Sequence, residues 1–273
     1  MDNQQYCAQK ILREGSCLYY SLRFVTPQKR IALLILHTLF HEIDEIKYKC
    51  QDIRVAQQKR DWWQHEIYNT FNTKATHPAT QNLKAIIEQY QISETELMTM
   101  LNALIHCPSR FADFAELETY CKQTSGQLQI LCAKILGYKN PQTLDAAQQL
   151  GIMLQLYYLL RELRRDMLSA YIYIPQTEFE QFKLTQQSLF EQQQTEALQA
   201  LFKFQVQRIH LYYQDFLKIL PKHEHRQQKM GLIRSKLAIA TLKEMERDNL
   251  EVFRHQIHLT PLRKLLITLG YLW

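Results

Sequence analysis

The chain has 273 residues, 46% of them hydrophobic, and its 33 Lys and Arg exceed its 27 Asp and Glu to leave a net charge of +6. That much apolar material offsets chain entropy and excludes a disordered polymer. With only 6 Gly and 7 Pro, loop-rich sandwiches, collagen-like repeats and low-complexity linkers are excluded as well.

Met1 to Lys10 is polar and lacks the apolar stretch of a secretory leader. Cys7, Cys17, Cys50, Cys107, Cys121 and Cys132 never form C-x-x-C, so they read as reduced thiols and the expected location is cytoplasmic. Pro27 opens a segment in which Ile31, Leu34, Ile35, Leu39, Ile43 and Ile46 recur at three- and four-residue steps, the spacing of a buried helix face. A second helix runs through Val55, Trp62, Trp63, Ile67 and Phe71 until Thr76-His77-Pro78 interrupts it, because the residue before proline avoids the α region. Ser93-Glu94-Thr95-Glu96 has the form of a helix start, with a Ser cap and a Glu at the third helical position. Asp113 to Gly137 reads as one or two helices. Asp145 to Ser169 reads as a strong one, carried by Ala147, Leu150, Gly151, Leu154, Leu156, Leu160, Leu163 and Met167 and followed by Tyr171–Pro175 as an extended exit. Gln187–Leu220 and Lys222–Asp248 give two more, divided at Pro221, and the His-rich run Lys222 to Arg226 reads as an exposed helix start. No strand alternation or repeat is visible. The apolar runs are too short to span a bilayer: Ile31–Leu36 stops at His37, and Gly151–Leu160 contains Gln155 and ends at Arg161. The expected architecture is a single all-α domain over residues 1–273, a bundle of eight or more helices.

The positive balance suits nucleic acid, anionic headgroups or a phosphate-bearing substrate. G-x-x-x-x-G-K-[ST], G-x-G-x-x-G, H-E-x-x-H and G-x-S-x-G are all absent, so the common nucleotide, zinc-protease and serine-hydrolase signatures are excluded. Two acidic helical segments stand out. In Phe40-His41-Glu42-Ile43-Asp44-Glu45-Ile46-Lys47-Tyr48, Asp44 and Tyr48 lie one turn apart; in Arg161-Glu162-Leu163-Arg164-Arg165-Asp166, Glu162 and Asp166 do. Carboxylates aimed at one another from two helices suit Mg²⁺ ions bridged by a diphosphate, with Arg161 beside the released anion. Spacing alone equally suits a solvated helix face. The apolar neighbours Leu36, Leu39, Phe40 and Ile43 of Asp44, and the run Leu154 to Leu160 before Glu162, argue for burial.

The order of motifs from about Ser16 to Thr268 resembles the squalene/phytoene synthase family, most closely its bacterial presqualene diphosphate synthase branch. Tyr19-Tyr20 with Pro27 to Arg30 is similar to that family's opening motif, and His37 to Tyr48 to its first aspartate-rich helix. Trp62 to Ile67 with Thr76-His77-Pro78 resembles the next block. Tyr120-Cys121, Ser125-Gly126 and Leu136-Gly137 resemble the central region, and Gln155 through Asp166 to Tyr173-Ile174-Pro175 resembles the second aspartate-rich helix with its exit. Val252-Phe253-Arg254 and Leu259 to Lys264 resemble the ending.

The resemblance implies an isoprenoid synthase-type bundle around a central cavity. It also implies Mg²⁺-dependent head-to-head condensation of two prenyl diphosphates, farnesyl diphosphate foremost, through a cyclopropyl intermediate toward presqualene diphosphate, squalene or phytoene-type products. It assigns catalytic roles to Asp44, Glu45, Glu162, Asp166 and Arg161, with Asp44, Glu162 and Asp166 as metal ligands. Substrate binding falls to Tyr19, His41, Tyr48, Tyr120, Gln155, Tyr158 and Tyr171. The partner is a prenyl diphosphate and not a nucleic acid, and the tail Leu259–Trp273, with Arg263 and Lys264 among its leucines, is expected to touch anionic membrane. Several positions depart from the family pattern. Tyr48, a phenol neutral at pH 7, stands for the last aspartate of the first motif, and His41 for an arginine. Glu162 replaces an aspartate and Tyr158 an asparagine; Ala170-Tyr171 replaces Gly-Arg, and Cys17-Leu18 a small-polar/Phe pair. Those departures leave a second reading, a non-catalytic protein that keeps the fold as a lipid-binding or complex-assembly module, for which a mitochondrial complex I assembly factor resembling the same family is the precedent.

Overall fold

The computed structural model describes residues 3–12, 15–50, 52–72, 74–191 and 195–270, and all regular structure among them is helical. Helix starts follow the sequence signals. Pro27 stands at the first position of Pro27–Asp44. Ser93 Oγ accepts from the Glu96 amide at 3.2 Å while the Glu96 carboxylate accepts from the Ser93 amide at 2.9 Å, closing a capping box on Glu94–Ile105.

Gln142–Arg161 is buried almost without interruption from Leu150 to Leu160, as a helix segment apolar on all sides must be. It packs on Glu196–Ile219 on one flank, on Gln127–Leu136 and the π-turn Lys122–Gly126 on another, and on Lys229–Arg247. That π-turn joins Phe114–Cys121 to Gln127–Leu136, so the stretch from Asp113 to Gly137 is one interrupted rod, ended by Gly137 at φ 84°. The interruption sits where Gly151 crosses: a Cβ on Gly151 would stand 2.3 Å from the Ser125 carbonyl oxygen. Two large apolar cores result, with a smaller third cluster around Tyr20, Ile233, Leu237 and Leu259. One joins Gln142–Arg161 to Glu196–Ile219, with Tyr157, Phe202 and Phe216 fully buried; the other joins Pro27–Asp44 to Ile53–Asn72, Glu94–Ile105 and Gln127–Leu136.

Three expectations are corrected. The run expected as one helix over Gln187–Leu220 is Gln186–Phe190 and then Glu196–Ile219, whose start is capped by Thr195 Oγ1 accepting from the Leu198 amide at 3.2 Å; residues 192–194 lie outside the described set. The His-rich run is a 3-10 turn in which Glu224 is buried, because its carboxylate accepts from the Lys139 and Asn140 amides at 2.6 and 2.9 Å. The Trp pair divides: Trp63 is buried and Trp62 exposed. Both motif helices also break inside their motifs. Pro27–Asp44 gives way at Glu45 to the single turn Ile46–Lys49, and Gln142–Arg161 at Glu162 to Leu163–Leu168.

Candidate functional site

The break at Glu45 decides what the first motif presents. Ile43 and Ile46 are buried on either side of it, and Lys47 reaches back to Asp44 across three residues, with Nζ 2.7 Å from Oδ1. The Lys47 side chain is 5% exposed and that of Asp44 22%. Lys47 Nζ also donates to the Tyr173 hydroxyl at 2.8 Å and lies 5.0, 5.1 and 5.9 Å from the ring centres of Tyr48, Tyr173 and Tyr171. The rings of Tyr48 and Tyr171 add cation–π attraction, while Tyr173 meets the ammonium through its hydroxyl. Burial favours the neutral amine, but Asp44 foremost outweighs it and holds the Lys47 amine well above the usual lysine range.

The second motif meets the first through Tyr48, whose hydroxyl donates to Asp166 Oδ1 at 2.8 Å. Arg165 stacks over the Tyr48 ring at 4.1 Å, donates to its hydroxyl at 3.2 Å and lies 3.5 Å from Asp166. Burial pushes the Tyr48 phenol far up, so it stays neutral. Asp166 is 1% exposed, and its Oδ2 is buried with no hydrogen-bond partner. Burial lifts the Asp166 carboxyl to about 6, although Lys47, Tyr48 and Arg165 all pull it down.

The remaining sequence-derived residues divide between this centre and other places. Tyr120 and Tyr171 belong to it: Tyr171 stacks on Tyr173 at 6.2 Å, Tyr120 does so at 5.9 Å, and Cys107 Sγ lies 3.3 Å from both the Tyr120 and Tyr173 hydroxyls. Glu162 and Arg161 sit at its edge under the chain segment 253–258. There Gln256 donates to Glu162, Arg161 donates to His258 Nδ1 at 2.9 Å and Arg164 donates to the Phe253 carbonyl at 3.1 Å. Glu45 is engaged elsewhere, with His41 at 3.2 Å and with Lys49, so neither Glu45 nor His41 is bonded into the centre. Tyr19 packs edge-on to Tyr20 in a third apolar cluster. Gln155 is buried within Gln142–Arg161, and Tyr158 is half-buried against Tyr157, ring centres 5.1 Å apart.

Sequence reasoning assigned no role to Lys47, Tyr173, Arg165 or Cys107. The signal for Lys47 was its place three residues after Asp44 on an apolar helix. An open pocket of about 810 Å³ beside Glu94–Ile105 and Phe114–Cys121 reaches the cluster at Phe111 and Tyr120. On the other side of Tyr173, the space among Leu117, Leu156, Leu159, Leu160 and Leu163 is about 20 Å³, too small for an isoprenoid chain without side-chain movement.

Mg²⁺ is the group the resemblance implies, and the donor set does not fit a shared metal cluster. Asp44 is taken by Lys47, Tyr48 is a neutral phenol, and Glu162 is held by Gln256 and lies 3.8 Å from Arg165. Among the described residues no three His, Cys, Asp or Glu side chains converge. A divalent ion about 4 Å from the Lys47 ammonium would meet about 8 kcal/mol of repulsion at an effective dielectric of about 20, before other charges are added. Asp166 Oδ2 is the one motif-acid oxygen at the centre that is both buried and unpartnered.

Two acidic helix ends facing one another inside an all-α bundle define an isoprenoid synthase-type fold, and solved structures share it. A dehydrosqualene synthase in complex with ligand superposes with a TM-score of 0.84 at 14% identity, over 98% of this chain and 95% of that one. Squalene synthase HpnC from Alicyclobacillus acidocaldarius gives 0.77 at 16% identity, over 91% and 94%. The squalene/phytoene synthase family model matches residues 12–263, and the chain belongs to that family. A 15-cis-phytoene synthase of Synechococcus elongatus is similar to it, with 22% identity over 95% of this chain and 89% of its own length.

Proposed function

We propose that the protein is a prenyltransferase that condenses two prenyl diphosphates head-to-head, with farnesyl diphosphate as the substrate and a presqualene diphosphate, squalene or phytoene-type product. The observation that carries this reading is the union of the two motif helices at a buried polar centre, where Asp166 keeps an unpartnered carboxylate oxygen beside Arg165. Ionisation of an allylic diphosphate breaks the C–O bond with both electrons leaving on the diphosphate. Arg165 and Arg161, at the rim of the centre, are the groups that would receive that anion, bidentate guanidinium to phosphate. The apolar walls around Tyr157, Leu156 and Leu160 would keep water from the cation left behind.

A lipid product fits a membrane-facing exit. Pro261–Leu269 packs one side on the protein and exposes Leu262 and Leu266, 66% and 60%, with Leu269 beside them. Arg263, its side chain 41% exposed, pairs with Glu244 at 2.6 Å, and Lys264 donates to the Gly15 carbonyl at 2.7 Å, so both basic groups are already engaged by the protein. The proposed membrane contact is therefore apolar rather than electrostatic. Tyr271 and Trp273, expected in the same contact, lie outside the described residues, and among the described residues no helix is long and apolar enough to cross a membrane. The function is tested by incubating the protein with prenyl diphosphates of increasing chain length and measuring diphosphate release. Ligand-induced stabilisation without release at any length would leave a binding protein and refute the transferase.

A further inference from the structure

A lysine side chain 5% exposed is an expense that folded proteins rarely carry without a partner. Lys47 has a full set: an ion pair with Asp44 at 2.7 Å, a hydrogen bond to the Tyr173 hydroxyl at 2.8 Å and the rings of Tyr48 and Tyr171. Its neighbour two residues on, Lys49, has a side chain 56% exposed and pairs with Glu45, so the inward course of Lys47 is specific to that position. The i,i+3 spacing brings Lys47 onto the Asp44 face, whereas Lys49, five residues on, falls outside it. Lys47 and Arg165 together leave Asp44 and Asp166 each with a protein cation within 3.5 Å. An acidic centre without such cations attracts divalent ions; one with them does not need to.

We propose that the Lys47 ammonium is the resident cation of the first acidic motif, standing beside Asp44 in place of a divalent metal ion, so that this motif binds no divalent metal and Tyr48 needs no charge. A Mg²⁺ ion coordinates carboxylate oxygen at about 2.0–2.1 Å and insists on an octahedral shell. Nζ, 2.7 Å from Asp44 Oδ1 and set among the rings of Tyr48, Tyr171 and Tyr173, engages one of the two carboxylate oxygens that such a shell would need. The substitution is chemically coherent with Tyr48: a second carboxylate strengthens a dication site, whereas an ammonium is satisfied by one carboxylate, a hydroxyl and aromatic faces. The inference rests on the prenyl diphosphate reading for the identity of the anion that this fixed charge faces.

Mn²⁺ is the probe, titrated into the full-length protein and followed by its paramagnetic resonance signal, without and with inorganic diphosphate. Wild type and Asp44→Asn are expected to bind Mn²⁺ alike. Lys47→Met is expected to tighten binding by at least about tenfold, a gain that Lys47→Met/Asp44→Asn loses, since removing a group that controls a metal ligand changes affinity by roughly 10–100-fold. Weakening of Mn²⁺ binding by about tenfold or more in Asp44→Asn alone would overturn the proposal. So would a folded Lys47→Met with no gain. Should Lys47→Met fail to fold, the comparison of wild type with Asp44→Asn decides the matter by itself. Diphosphate release from a prenyl substrate is measured in parallel: its absence refutes the transferase reading while leaving the metal result to stand or fall separately.

Discussion

Gly151→Ala separates two opposing effects whose sizes follow from the structure. In an isolated helix the change favours folding by about 1 kcal/mol, because glycine loses more backbone freedom than alanine. Here the new Cβ would lie 2.3 Å from the Ser125 carbonyl oxygen, 2.4 Å from Gly126 Cα and 2.6 Å from Gly126 N. All three are backbone atoms of the π-turn, which cannot rotate aside as a side chain does. Overpacking of this kind costs about 1–3 kcal/mol, and more when the backbone must move. The clash exceeds the propensity gain, and a net loss of about 2 kcal/mol is expected, which for a chain of this size lowers Tm by about 4–8 °C. Gly231→Ala is the control. Its Cβ would meet only Leu150 Cδ2, at 2.8 Å, a side-chain end able to yield, so a smaller loss is expected. Urea unfolding followed by circular dichroism at the helix band measures both. Gly151→Ala as stable as wild type, or more stable, would refute the close crossing of the two segments.

Glu66 accepts hydrogen bonds from the Thr76 and His77 amides at 2.6 and 2.7 Å and from the Thr76 and Thr80 hydroxyls at 2.9 and 2.5 Å. Burial raises its carboxyl, but those bonds outweigh burial and hold it below the usual value of 4.5. The folded pKa is thus the lower one, so the contribution to stability is complete above about pH 4.5 and is lost as pH falls through the folded value. Glu66→Gln should flatten the acid limb of the urea midpoint against pH, and equal slopes would contradict it. Replacing Leu262 and Leu266 with Asp should reduce co-sedimentation with liposomes while leaving Tm within a few degrees, since both side chains are exposed; unchanged sedimentation would remove the proposed membrane contact. We also propose that the chain unfolds as one unit, because Gln142–Arg161 packs on helices from both flanks, and two separated calorimetric transitions would refute that.

Periodicity and caps made the helices legible. Ser93, Pro27 and Gly137 mark ends that chemistry enforces, through a side-chain acceptor, a preset φ and a positive φ. The breaks at Glu45 and Glu162 were not legible, because neither is a proline or glycine and the residues beside them, Ile43, Ile46 and Leu163, are buried like any others on an apolar helix face. Asp44 and Tyr48, one turn apart in the sequence pattern, are engaged separately, Asp44 in an ion pair with Lys47 and Tyr48 in a hydrogen bond to Asp166. Asp44, Asp166, Tyr48, Tyr120 and Tyr171 were legible as members of one centre through the family resemblance. Glu45 and Tyr19 were not separable from them, since side-chain direction depends on contacts up to hundreds of residues distant, as with Tyr20 donating to the Pro261 carbonyl. The covering of Arg161 and Glu162 by residues 253–258 is of the same kind.

Diphosphate release from farnesyl diphosphate by wild type and Asp166→Asn, with and without Mg²⁺, tests the central claim most directly. The account predicts release by wild type and its loss in Asp166→Asn, with the variant still folded because Asn keeps the oxygen that accepts from Tyr48. A folded wild-type protein that releases no diphosphate from any prenyl chain length, or an Asp166→Asn variant with undiminished turnover, would contradict it.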